Sequence, residues 1–287
     1  MGHLRVGLLG AFSIARDDEP LGVRGAKQRA VMAMLALHAG ELVTEAALID
    51  GIWGDKAPSA VKNSIQVYIG QWRRSLAEAH CEERIERVGS SYRLMMDPEG
   101  LDVRRFERLA ERGREAAADR RFSVALERFD AALGLWRGEP LVDFEEMPFQ
   151  QWERIRLEPE FVAVTADRLD AQLELGRGPE LVAGLEALVT RHPYAERFWA
   201  QLMHALYRAG RQVEATRAYE RAREALADVG LEPGPLLHGM EQRVIQQDPD
   251  LDGSASPFEP AAPPEAVTPL IGRDAEVDHL VQVVAKE

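Results

Sequence analysis

Ala215, Tyr219 and Ala222 repeat, 34 residues further along the chain, the spacing of Leu181, Leu185 and Leu188. This period constrains the fold more than any other feature of the sequence. A unit of that length holds a pair of helices whose apolar face cannot be buried within the unit, so neighbouring pairs must stack. Trp199, Leu202 and Gly210 fall on the tryptophan, leucine and inter-helix glycine positions of such a pair; Gly176 holds the glycine position one repeat earlier and Pro193 closes that repeat. Ala125, Phe129 and Ala132 form a third copy that is out of phase with the others, so Trp136 to Pro159 reads as an insertion.

The spacing therefore predicts a tetratricopeptide-like, all-α unit from Leu101 to about Gln247. The first hundred residues have a different pattern. Leu4 to Leu9, Phe12 to Ile14 and Leu21 to Val23 read as short strands, with a turn at Asp17-Asp18-Glu19-Pro20. From Lys27 to His38 the apolar residues recur at helical spacing, and Gly40 ends the segment. A second helix starts at Thr44, whose hydroxyl can cap it, with Val43 and Leu48 as a hydrophobic staple, and stops at Gly54.

A third helix opens at Pro58-Ser59. Val61, Ile65, Tyr68, Ile69, Trp72 and Leu76 share one face of it, within about 80° at 100° per residue. Ile85 to Val88 and Tyr92 to Met95, joined by Gly89-Ser90-Ser91, alternate as a hairpin. Strands, three helices and a hairpin are the layout of a winged helix-turn-helix. The fold class expected is mainly α with a small β component: a winged helix-turn-helix at 1–97, then the tetratricopeptide-like unit at 98–250. Residues 251–268, rich in Pro, Ala, Ser and acid, read as a disordered linker. Patterning resumes at 269–287, as if a further domain were beginning.

The net charge of −13 argues against a polyanionic partner until it is divided along the chain. Residues 1–100 carry 12 basic and 13 acidic side chains, whereas residues 101–250 carry 21 and 28. Between Lys56 and Arg93 the balance reverses, with seven basic residues against four acidic. Phosphate binding depends on such local positive charge. No apolar run reaches the roughly 18 residues of a membrane span, so no membrane association is expected. A lone Cys81 gives neither a disulfide framework nor a zinc cluster. A reducing cytoplasm is the natural setting, and no cofactor is called for.

Away from its apolar face the third helix carries Ser59, Asn63, Gln66, Val67, Gly70 and Arg74, with Lys62 and Arg73 on one flank. Arg can engage guanine O6 and N7 with two hydrogen bonds, Asn and Gln can do the same to adenine, and Val67 can touch a thymine methyl. Asn63, Gln66, Val67 and Arg74 are thus candidate base readers. Ser59, Lys62, Arg73, Arg87 and Arg93 suit phosphates or the minor groove, where they add affinity and register. Enzymatic readings fare worse. Gly89 to Arg93 lacks the second glycine of a nucleophile elbow, His80-Cys81 has no further metal ligands, and the adjacent carboxylates Glu145-Glu146 point in different directions. A repeat-based interaction scaffold, with a peptide on the concave helical surface, is the alternative reading.

Lys27-Gln28-Arg29-Ala30-Val31, Gln66-Val67-Tyr68, Arg73-Arg74-Ser75-Leu76, Val88-Gly89 with Tyr92-Arg93-Leu94, and Tyr219 to Arg223 followed by Gly230-Leu231-Glu232-Pro233-Gly234 carry a family resemblance. Residues 4–95 resemble the OmpR/PhoB-type winged helix, and with 101–247 the chain resembles the Streptomyces antibiotic regulatory protein family, whose second module is the bacterial transcriptional activation domain. The resemblance implies activation of secondary-metabolite gene clusters through double-stranded promoter DNA with direct repeats, self-association on that DNA, and contact with RNA polymerase holoenzyme. It also implies that the loop carrying Trp53, Asp55 and Lys56 faces a sigma subunit. Family wings read Gly-x-Gly-Tyr; here Ser91 replaces the second glycine, which would be strained if that position requires positive φ. Residues 271–276 are similar to the opening of the ATPase domain in large family members, without the phosphate-binding loop that would follow.

Overall fold

The computed structural model describes residues 4–22 and 25–251; the tail at 269–287 and most of the expected linker lie outside the described residues. Strands β1 (Leu4–Gly7), β2 (Ser13–Arg16) and β3 (Glu19–Pro20) form an antiparallel sheet in that order. Asp17 and Asp18, at φ 49° and 69°, make the two-residue turn that pairs Arg16 with Glu19. Both signs match a hairpin turn, and Asp tolerates this region better than most residues. So tight a turn restarts the strand at Glu19, ahead of the Leu21–Val23 segment expected. Leu21 adds one hydrogen bond, to the Ile14 carbonyl, and Val23 lies outside the described residues.

Helix α1 (Ala26–Leu37) is buried along eight consecutive residues from Ala30 to Leu37, as befits a helix enclosed on all sides. Thr44, in the two-residue strand β4 (Val43–Thr44), caps α2 (Glu45–Trp53) by accepting the Ala47 N–H at 3.0 Å, and Val43 and Leu48 are both buried. A short turn at Gly54–Lys56 leads to α3 (Val61–Glu78), whose buried residues are Val61, Ile65, Ile69, Trp72 and Leu76. Tyr68 is only half-buried. The wing, β5 (Arg84–Val88) and β6 (Ser91–Met95), joins β4 in a sheet of order β4-β6-β5. Positive φ is needed at Gly89 and not at Ser91, which lies in β6 opposite Val88. A two-residue turn with glycine first supplies the bend, so the serine carries no strain.

Seven helices follow among the described residues: α4 (Asp102–Ala118), α5 (Phe122–Leu133), α6 (Pro148–Glu174), α7 (Gly178–Arg191), α8 (Glu196–Arg208), α9 (Gln212–Ala227) and α10 (Pro235–Ile245). Most of the repeat positions are buried, with Leu181 and Leu188 half-buried against the same core. Ala125, Phe129, Ala132, Leu185, Ala215 and Ala222 are fully buried, Gly176 and Gly210 take φ of 82° and 71°, and Trp199 donates from Nε1 to the Pro193 carbonyl at 2.8 Å. Part of the expected insertion is helical, because α6 begins at Pro148 and runs through Pro159. The start of the expected linker also belongs to the folded unit. Leu251 is completely buried and its carbonyl accepts hydrogen bonds from His204 and Arg208.

The apolar core does not break near residue 97. Buried residues from Leu4 to Ala171 form one connected cluster that includes Phe106, Phe129 and Phe149. A second cluster runs from Ala166 to Leu251, and α6 is the wall between them. At that wall Asp167 pairs with Arg114 of α4 (2.7 Å) and Arg197 of α8 (2.6 Å), while Gln201 donates to Asp170 (2.6 Å). The stitching also reaches back to the segment just after β1. Asp102, at the start of α4, accepts the Leu8 and Leu9 backbone N–H groups, and the Leu141 N–H bonds the Leu8 carbonyl.

Candidate nucleic-acid interface

Two hydrogen bonds fix how α3 presents its outer face. Trp72 Nε1 donates to the Gln28 carbonyl of α1 at 2.8 Å, which sets the rotation of the helix about its axis. Arg73 Nε donates to the Ile85 carbonyl at 2.9 Å, which ties the helix to the wing. With the apolar stripe turned inward, Ser59, Lys62, Asn63, Gln66, Val67, Gly70, Arg73 and Arg74 are all exposed. Val67 is 47% exposed on this face. Among the described residues Lys62, Asn63, Gln66 and Arg74 make no side-chain hydrogen bond or ion pair within the chain, so their polar groups are free for an external partner.

The wing arginines are placed differently from that set. Arg93 Nη2 donates to Glu86 at 2.7 Å and Arg84 Nε to the same carboxylate at 3.0 Å. These two guanidiniums hold Glu86 below the usual carboxylate range, the Arg93 hydrogen bond being the larger cause. Arg87 donates to the Gly89 carbonyl at 3.1 Å, lies 3.6 Å from Glu45, and sits over the Tyr92 ring. Tyr92 in turn donates to Glu45 at 3.3 Å, and burial raises its phenol above the ordinary value. Much of the wing's positive charge is therefore met by carboxylates of the wing and of α2.

Trp53 requires a correction. Its ring is 6% exposed, with Lys27 Nζ 5.0 Å from the centroid, so it anchors the α2–α3 loop from beneath and has no surface to offer a partner. Asp55, Lys56, Ala57 and Pro58 of the same loop are exposed. Sequence reasoning passed over Gln71 and Glu86. Gln71 is exposed on the flank of α3 beside Val67 and Arg74, and 100° per residue places it there. Glu86 stands directly opposite Arg93 in the β5–β6 register, a pairing that follows once the turn is known to have two residues.

Glu145 and Glu146 lie exposed in the loop before α6. No group of three or more metal-ligating side chains gathers among the described residues, and no helix there is long and apolar enough to cross a membrane.

Comparison with known proteins converges on one family. Residues 23–94 match the transcriptional regulatory protein C-terminal domain, and residues 101–245 match the bacterial transcriptional activator domain. The chain is similar to the regulatory protein DnrI of Streptomyces peucetius, 35% identical over 267 residues covering 90% of this chain and 98% of DnrI. It is also similar to AfsR of Streptomyces coelicolor, 34% identical over 99% of this chain and 29% of the much longer relative. The solved structure of Mycobacterium tuberculosis EmbR, in complex with a low-affinity phosphopeptide, superposes with a TM-score of 0.83 at 34% identity, covering 87% of this chain and 66% of that one. With both modules matched in order and nearly the whole of DnrI covered, the chain belongs to the Streptomyces antibiotic regulatory protein family of transcriptional activators.

Proposed function

We propose that this activator inserts α3 into the major groove of promoter DNA and reads base edges with Asn63, Gln66, Val67 and Arg74. The observation that carries the reading is the set of unpaired, exposed polar side chains on one face of a helix whose rotation is pinned by Trp72 and Arg73. Ser59 and Lys62 meet phosphates on the flank, Arg73 adds positive charge from α3 where it is tied to the wing, and Arg87 and Arg93 add it from the wing itself. Selection from a random duplex library tests this. A short direct repeat should be enriched; enrichment of nothing would favour a scaffold that uses its helical surface alone.

Direct repeats call for copies arranged head to tail on one face of the duplex, associating on DNA and spaced near one helical turn, about 10–11 bp. Inserting about half a turn between the repeats should then weaken cooperative binding sharply. The exposed loop at Asp55 and Lys56 is read as the contact with the sigma subunit of RNA polymerase holoenzyme. Reversing both charges should lower transcription while promoter affinity is kept; a parallel loss of affinity would make the loop a DNA contact instead. Genes of antibiotic biosynthesis are the expected targets.

A further inference from the structure

Gly70 lies in the interior of α3, where glycine is the least favourable residue short of proline. Nothing in the fold requires it. Its φ is not positive, the residue is exposed, and a Cβ built there meets no atom within 4 Å. A side chain would stand in open space on the outer face. Within that face Gly70 is central: Gln66 and Val67 lie one turn before it, Arg74 one turn after, and Asn63 two turns before. Among these residues Gly70 alone offers bare backbone.

We infer that Gly70 is the point of closest approach between α3 and the DNA, a clearance position that lets the helix sit deep enough for its neighbours to reach base edges. This rests on the reading of α3 as the groove-binding helix. An α-helix with its side chains is roughly 10–12 Å across and the major groove roughly 12 Å wide, so one side chain at the centre of the contact lifts the helix and lengthens every hydrogen bond around it. Glycine's ability to let another molecule come close to the backbone supplies what the fold itself does not ask for.

The test is a graded series in the full chain, using as probe the duplex that the unmodified protein enriches from a random library. Gly70→Ala should raise Tm by about 2–4 °C through better helix propensity, yet weaken binding to that duplex by about tenfold or more, equivalent to roughly 1.4 kcal/mol. Gly70→Leu keeps the helix and should weaken binding further. Gly184→Ala in α7 and Gly239→Ala in α10, where an added Cβ also meets nothing within 4 Å, should raise Tm with binding unchanged. Full binding by both Gly70 variants, with loss in Gln66→Ala and Arg74→Ala, would overturn the inference and leave the reading of α3 intact. No loss in any of the four would overturn both.

Discussion

The carboxylate of Asp102, the first residue of α4, accepts the backbone N–H of Leu8 from 94 residues away, at 2.9 Å. The same group takes the Leu9 N–H at 3.0 Å and Arg137 Nη2 at 3.2 Å, so one side chain joins the segment just after β1, the helical unit and the loop after α5. Two modules matched separately by sequence thereby share one core.

Asp102→Ala leaves two buried N–H groups without an acceptor, each costing about 1–3 kcal/mol. We expect a loss of roughly 2–4 kcal/mol in thermal or urea unfolding. Burial raises the Asp102 pKa, only partly offset by its backbone and arginine partners. A carboxyl raised in the folded state adds stability that is complete below its unfolded pKa and lost as pH rises through the folded value. The gap between wild type and Asp102→Ala should therefore narrow as pH rises from the unfolded carboxylate pKa through the raised folded one; widening with pH over that range would contradict this.

Glu86 engages two wing arginines, so Glu86→Gln should release positive charge toward phosphates. Affinity for random duplex should rise, with a steeper dependence on salt. The lowered Glu86 pKa means that its pairing adds stability above the unfolded carboxylate pKa, lost only as pH falls through the depressed folded value. Unchanged random-DNA binding in Glu86→Gln would show that Arg84 and Arg93 never face the duplex.

Three helix ends place a non-glycine residue in the left-handed region where Gly176 and Gly210 sit: His80 after α3, Arg120 after α4 and Gln247 after α10, at φ 52°, 57° and 52°. The hydrogen bonds match, as in Arg121 N to Ala116 O and Arg211 N to Leu206 O, the pattern of a Schellman cap. Arg120→Gly should stabilise the protein by about 0.5–1 kcal/mol. Gly210→Ala should destabilise it by a similar amount, and equal effects in one direction would refute the assignment.

The sequence made legible what depends on period. The 34-residue spacing located the stacked pairs, and the 3.6-residue stripe of α3 set Asn63, Gln66 and Arg74 on one face. What escaped it depends on register or long-range packing. Glu86 meets Arg93 only through the β5–β6 register, Trp53 is buried because it packs into the long-range apolar core, and Asp102 reaches Leu8 across a distance that no local pattern encodes.

The central claim, that the outer face of α3 reads DNA sequence, is tested most directly by alanine at Asn63, Gln66, Arg74 and Lys62, with binding to cognate and random duplex measured over a range of salt. Asn63, Gln66 and Arg74 should each cost about 1–3 kcal/mol on the cognate site and relax preference at particular base pairs, with less change on random DNA. Lys62→Ala should weaken both duplexes alike and flatten the slope of log K against log salt by about one. Four substitutions that behave identically, or that leave binding untouched, would contradict it.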